Sequence, residues 1–208
     1  MARTNIHYEA KRKLLLSNIW DVFLKHGYEN TTLAFLIGEL NISKGAFYHY
    51  FRTKEECVDA AVKMFAETCF EKAAKNIQQG SAADNMKHLI KICSSLFQEN
   101  NNSIGLINTP DNAVFHQKLM AALVKELAPL YASVISQGVQ EKVFDVPFPL
   151  ETAQMILTLT NFYFDDKLFG WEPKDMPARL LAFQHLFANT LKAEKQITAY
   201  ILSDKGET

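Results

Sequence analysis

The sequence predicts an all-α protein, with a small N-terminal group of three short helices joined to a larger helical body. Three observations carry this. Apolar residues recur at three- and four-residue spacing along almost the whole chain, and strand-like alternation is absent. Capping and stop residues (Gly27, Thr32, Asn41, Ser43, Thr53) cut the first part into short segments, whereas later segments run much longer. Charge is also divided: residues 1–54 carry eight Lys or Arg against four acids. In a chain of net charge −1, this leaves a +4 head on a −5 body.

The first helix is expected over residues 8–26, with Leu15, Ile19, Val22 and Phe23 as its buried stripe. Gly27 ends it, because glycine accepts the left-handed conformation beyond a helix C-terminus. Thr31 or Thr32 caps a second helix carrying Leu33, Leu36, Ile37 and Leu40. Asn41 stops it, as asparagine tolerates the same conformation. Ser43 caps a third helix, residues 44–51. Thr53 caps a fourth, residues 53–78, with Glu55 and Glu56 near the positive end of the helix dipole. Further helices are expected over 83–97, 111–118, 121–140, 150–164 and 178–201. Breaks are expected at 79–81, 99–103, 145–149 and 170–177, and the polar tail 203–208 is expected to fray.

Composition excludes several classes. Hydrophobic residues make up 48% of the 208 and charged residues 22%, ordinary for a globular protein. No apolar run of membrane-spanning length and no leader is apparent, so no membrane partner and a cytoplasmic location are expected. Cys57, Cys69 and Cys93 fit neither a zinc spacing nor a disulfide framework and read as reduced thiols. The six histidines form no HExxH or i, i+4 pair, and no GxSxG, P-loop or GxGxxG occurs. Asp165 and Asp166 are adjacent and point apart on a helix. No catalytic residue, metal site or cofactor is therefore expected, and the chain does not read as an enzyme.

The informative stretch is residues 32–54. Its second and third helices are joined by Asn41-Ile42-Ser43, the spacing of a helix-turn-helix. A recognition helix needs small or hydrogen-bonding residues in the turn that approaches bases, and Ser43, Lys44, Gly45 and Ala46 supply them. It needs polar groups outside, Tyr48 and His49, and apolar anchors inside, Phe47, Tyr50 and Phe51.

This pattern resembles the TetR family of bacterial regulators. The resemblance runs from Phe23, Gly27 and Tyr28 through Thr32, Ser43 and Gly45 to Phe47, Tyr48, Tyr50, Phe51 and Lys54. Asn41 stands where the family usually has Gly, and Ile37 where it often has Ala. The resemblance implies a helix-turn-helix DNA-binding domain at 1–54 and a helical ligand-binding and dimerisation domain at 55–208. It implies phosphate contacts from Thr32, Tyr48 and Lys54, a groove-facing turn of Ser43, Lys44, Gly45 and Ala46, and His49 near the backbone. A second echo, Ile135-Ser136-Gln137-Gly138 followed by Val143-Phe144-Asp145, resembles the family's turn before its dimerisation helices. It implies a four-helix seam with a second copy through Ala153, Ile156, Leu157, Thr160 and Phe164, then Leu180, Phe183, Phe187 and Leu191.

The implied function is a transcriptional regulator, typically a repressor. It would bind double-stranded operator DNA as a homodimer and be released by a small apolar or amphipathic effector of unknown identity. The alternative is an architectural or effector-independent DNA-binding protein with the same head. The fourth helix, with Val62, Met64, Phe65 and Phe70, is the expected lever between the two parts.

Overall fold

The computed structural model describes residues 2–75, 77, 80–99, 107 and 109–202. They form α1 (Ala2–His26), α2 (Leu33–Glu39), α3 (Lys44–Tyr50), α4 (Lys54–Lys75), α5 (Ala82–Glu99), α6 (Ala113–Gln140), α7 (Pro149–Tyr163), α8 (Met176–Leu191) and α9 (Lys195–Leu202). Tight turns at Pro110–Asn112 and Pro173–Asp175 and a single helical turn, Asp166–Phe169, complete the pattern. No strand occurs among the described residues. The chain packs as two units. The first takes α1, α2, α3, α4 as far as Thr68, and α6 as far as Ala122 with the turn before it. The second takes α4 from Cys69, α5, α6 from Leu123, and all that follows.

The core of the first unit is aromatic. Phe23, Phe47, Phe51 and Phe115 are fully buried, each worth about 1.5–3 kcal/mol in apolar surface withdrawn from water. Trp20 stacks on Phe65 with ring centres 4.3 Å apart and leans on Phe115 at 5.1 Å. The buried stripe of α1 differs from the expected one. It is Leu16, Ile19, Trp20, Phe23 and Leu24, while Leu15 and Val22 flank it half-buried. The helix face is turned toward the indole, the largest apolar surface available to it. Thr53 caps α4 as expected, its Oγ1 accepting from the Glu56 N–H at 3.0 Å. The Glu56 carboxylate reaches back to the Arg52 N–H at 2.7 Å, so two helix-end donors are satisfied reciprocally.

Two expected boundaries in the body are corrected. Residues 113–118 and 121–140 belong to one helix, α6, because Leu119, Met120 and Leu123 carry the buried stripe through, while 111 and 112 lie in the turn before it. By length and composition α6 is long and apolar enough to cross a membrane, although no such run was expected. Here Leu127, Tyr131, Val134 and Ile135 are buried in protein. Conversely, the single helix expected over 178–201 is two. Lys192 adopts a left-handed φ of 48°, and the Ala193 N–H returns to the Ala188 carbonyl at 3.2 Å, closing α8. The side chain of α9's Tyr200 donates to Asp84 at 2.6 Å. Hydrogen bonds from Ser81 and Tyr200 hold that carboxyl below its usual range.

The three cysteines are free thiols, and burial pushes those of Cys57 and Cys69 up to about 12. The expected break at Gln79, the polar run 100–103, the tail 203–208 and the side chain of Phe97 lie outside the described residues.

The apolar positions expected to meet a second copy divide. Ala153, Leu157, Phe187 and Leu191 are buried within their own unit, while Leu180 is exposed. Ile156, Thr160, Phe164 and Phe183 are half-buried. The largest exposed apolar side chains on α7 and α8 are instead Met155, Leu181 and Leu186, at 63%, 66% and 49%.

The Gly138–Phe144 echo has a direct physical reason. Gly138 and Phe144 close the end of α6, where the N–H groups of Val143 and Phe144 both donate to the Gly138 carbonyl. A Cβ on Gly138 would lie 2.0 Å from the Phe144 ring. Gly138→Ala is therefore expected to destabilise the protein by about 1–3 kcal/mol through overpacking. Gly138→Ala combined with Phe144→Leu should recover part of that loss. Urea denaturation of the two single variants and the double variant measures both effects; additive losses would show that the ring is not what excludes the side chain.

Candidate nucleic-acid interface

The seven residues of α3 are too few to hold a helix alone, so its ends and inner face must fix it. Ser43 is the N-cap, its Oγ accepting from the Ala46 N–H at 3.0 Å. Thr32 plays the same part for α2, accepting from Phe35 at 3.2 Å. Both hydroxyl oxygens are engaged as acceptors, which leaves both O–H protons to donate outward. Thr31 does not cap; it is buried, and its hydroxyl donates to the Gly27 carbonyl at 2.6 Å. Asn41 supplies the left-handed turn between α2 and α3 at φ 50°.

Phe47 and Phe51 anchor α3 in the core. Tyr50 is half-buried, stacked on Tyr8 of α1 with ring centres 5.1 Å apart. Tyr8 also meets His49 edge-on at 5.6 Å. The same α1 face brings the Arg12 guanidinium 5.6 Å over the Phe51 ring. Tyr8 carries no signal in the sequence because it precedes the apolar stripe of its own helix.

The outer face presents Lys44, Gly45, Tyr48 and His49 exposed, with Ala46 half-buried between them. Gly45 is instructive. Among the described residues a Cβ there would meet only the Ser43 Oγ, at 3.9 Å, so none of them requires a glycine at this position.

Lys54 is placed otherwise than as a free phosphate-seeking amine. Its Nζ donates to the carbonyls of Tyr28 at 2.7 Å and Thr31 at 2.8 Å, and lies 4.0 Å from the centre of the Tyr28 ring. Burial draws its pKa below the usual lysine range. Two of its three N–H groups serve the protein, so a phosphate contact would draw on the third.

The loop that Lys54 grips is held from a distant segment as well. The Tyr28 N–H donates to Asn112 Oδ1 at 2.8 Å and the Glu29 N–H to the Asp111 carbonyl at 3.1 Å. The Glu29 carboxylate in turn accepts from the Val114 N–H at 2.9 Å, capping the start of α6. Gly27, at φ +80°, lies so close to Asp111 that a Cβ would come within 2.8 Å of it. Lys118 then reaches Asp59 at 2.7 Å and Glu55 at 3.3 Å on α4. These carboxylates raise its pKa. None of Glu29, Asn112 or Lys118 stands out in the sequence, since their partners lie far along the chain.

The structure thus brings Ser43, Lys44, Gly45, Ala46, Tyr48 and His49 together on and before α3. Thr32 caps α2, and Lys54 opens α4. Among the described residues no group of three His, Cys, Asp or Glu side chains is arranged to hold a metal ion.

Comparison with known proteins agrees with this layout. Residues 15–61 match the family described as bacterial regulatory proteins, tetR family. Residues 92–186 match the tetracyclin repressor-like C-terminal domain. Two curated relatives come from Bacillus subtilis strain 168. The HTH-type transcriptional regulator YerO, itself uncharacterised, is 32% identical over 83 residues, covering 40% of this chain and 28% of its own. The HTH-type transcriptional regulator PksA is 34% identical over 62 residues, 30% of each chain. The match therefore spans less than a third of either relative. In fold, the chain is similar to QsdR, a TetR-family transcriptional repressor of R. erythropolis. The TM-score is 0.63, covering 90% of this chain and 97% of that one at 14% identity. With matches to both the N-terminal and C-terminal domains of one group, the chain belongs to the TetR family of bacterial transcriptional regulators.

Proposed function

We propose that the chain is a cytoplasmic repressor that binds a quasi-palindromic DNA operator as a two-fold homodimer and is released by a small apolar or amphipathic effector. Residues 1–54 form the DNA-binding head and residues 55–208 the dimerising and ligand-binding body. The observation that carries the DNA reading is the outer face of α3. Two capped helix starts retain their hydroxyl donors, Lys44 and Tyr48 are exposed, and Gly45 leaves open room that none of the described residues fills. In this reading Ser43, Lys44, Gly45 and Ala46 approach the bases. Thr32, Tyr48 and the remaining donor of Lys54 meet phosphates, with His49 beside them. One similar fold, QsdR, is described as a repressor, which supports the sign of regulation.

A single short recognition helix reads only a few base pairs, and two heads must meet successive major grooves about 34–36 Å apart. The exposed side chains of Met155, Leu181 and Leu186 are the proposed apolar contribution to the contact between copies. An effector held in the body acts through α4 and α6, the two helices that carry residues of both units. A coupling of about 1–3 kcal/mol changes operator affinity roughly 5–150-fold.

Operator selected from random DNA tests the central reading. Gly45→Ala should stabilise the free protein by about 0.5–1 kcal/mol, since alanine favours a helix interior, yet weaken operator binding. Unchanged affinity would remove the close-approach argument. Binding should weaken with salt at a log–log slope near −0.9 for each phosphate neutralised. Lys44→Ala should also shift sequence preference. A salt-independent affinity would contradict the phosphate assignments.

For the dimer, Leu181→Glu with Leu186→Glu should yield monomer in sedimentation while leaving helical content intact. A dimer that survives both charges would place the seam elsewhere. Compounds that raise the Tm should bind more weakly when operator is present, by the same factor with which they weaken operator binding. Equal affinity for free and DNA-bound protein would favour the effector-independent alternative.

A further inference from the structure

The C-terminal end of α7 and the N-terminal turns of α8 enclose a cation in an aromatic frame. The Arg179 guanidinium lies 3.4 Å from the centre of the Trp171 ring, a stacking distance, and 5.6 Å from that of Tyr163. On its other side the indole stacks on Phe169, with centres 5.0 Å apart and planes 11° from parallel. The indole N–H donates to the Tyr163 carbonyl at 3.0 Å, which fixes the plane of the ring. Arg179 is therefore oriented before anything binds to it.

Its own hydrogen bonding is incomplete. A guanidinium has five N–H donors in one plane. Among the described residues only a 3.4 Å contact from one terminal nitrogen to the Tyr163 hydroxyl is made. The Nε–H is shielded from solvent and has no acceptor among the described residues. No carboxylate of the described residues lies within ion-pair reach: Glu172 is taken by Lys174, and Asp165 accepts from the Leu168 N–H at 2.9 Å. A stacked guanidinium has one face covered, and its two terminal nitrogens form a fork that matches a carboxylate in two parallel hydrogen bonds. The half-exposed Phe169 ring and the half-buried rings of Tyr163 and Trp171 offer apolar surface alongside.

We propose that Arg179, held on Trp171 and flanked by Tyr163, is a receptor for a small aromatic carboxylate. The carboxylate takes the two terminal nitrogens of the guanidinium, and the ring of the ligand lies against the aromatic side chains. The site does not depend on the operator reading, since its occupancy is measured on the protein without DNA.

The test is calorimetric titration of the full chain with benzoate and, separately, with benzyl alcohol, which keeps the ring and removes the charge. Benzoate is expected to saturate in the millimolar range or below, and benzyl alcohol to bind at least about tenfold more weakly, the loss expected when charge-assisted hydrogen bonds are removed. Arg179→Met should abolish the preference for benzoate. Arg179→Lys, which keeps the charge but not the fork, should fall between. Circular dichroism establishes that each variant is folded, and Trp171→Phe provides a second, milder perturbation that should weaken both probes. Equal binding of the two probes, undiminished benzoate binding by Arg179→Met, or no saturable heat with benzoate overturns the proposal. Sedimentation separates a free carboxylate from one carried by a second copy. If Arg179→Met dissociates the protein and benzoate does not bind the parent, Arg179 serves the contact between copies, and the proposal fails.

Discussion

The ammonium of Lys54, shared between the carbonyls of Tyr28 and Thr31, ties the start of α4 to the loop from which α2 and α3 follow. Around it most backbone groups of that loop are accounted for. The Gly27 carbonyl takes the Thr31 N–H and hydroxyl, and the N–H groups of Tyr28 and Glu29 go to Asn112 and Asp111. A loop carrying this many internal partners has few conformations left to lose. Charge and hydrogen bonding act together: the amine sits over the Tyr28 ring, where the π face attracts a cation. Removing the amine would leave the Thr31 carbonyl to find a new donor and the Tyr28 carbonyl with the Thr31 N–H at 3.3 Å, at about 1–3 kcal/mol for a buried acceptor left unpaired.

The helix that presents the interface inherits its rigidity from this arrangement. An isolated seven-residue helix has no stability of its own. Its form is imposed by the Ser43 cap, by two phenylalanines buried beneath it, and by the Tyr8–Tyr50 stack at its far end. Lys44, Gly45, Tyr48 and His49 are exposed on the outer face, with the His49 ring edge-on to Tyr8 and that of Tyr48 edge-on to Phe47. Lys54 divides its donors between the fold and the surface, and a change there alters both.

Much of the head was legible because its determinants are local. Gly27, Thr32, Asn41, Ser43 and Thr53 each act within about four residues of their own position, as capping and left-handed turns do. Phe47 and Phe51 follow from helical spacing. What escaped is long-range. Asn112 and Asp111 look like the start of a helix in the sequence, and nothing nearby reveals that they serve a loop more than eighty residues earlier. On α1, Ile19 and Phe23 are buried as expected, but Leu16, Trp20 and Leu24 complete the stripe in place of Leu15 and Val22; Leu15 and Leu16 are equivalent in composition, and the Trp20–Phe65 stack favours the face that carries Leu16. In the body, Lys192 gave no warning of the break it makes, since lysine has no preference for the left-handed region. The match of Gly138 to Phe144 was visible as a pattern, but its cause, a ring lying where a Cβ would be, is a fact of packing.

The separation between the loop and its partners also bears on how the chain comes into being. Tyr28 and Asn112 are 84 residues apart, and Glu29 and Val114 are 85 apart. At the usual pace of translation, roughly 5–20 residues per second, the loop waits about 4–17 s for its partners to be synthesised. During that time the nascent head has its caps and its α4 lysine but not the backbone acceptor, side-chain amide and cation of residues 111–118. A low-contact-order trio of helices forms quickly, yet here its final tightening is deferred until α6 has begun. The surface of α3 is therefore completed late in synthesis, although it is encoded before α6.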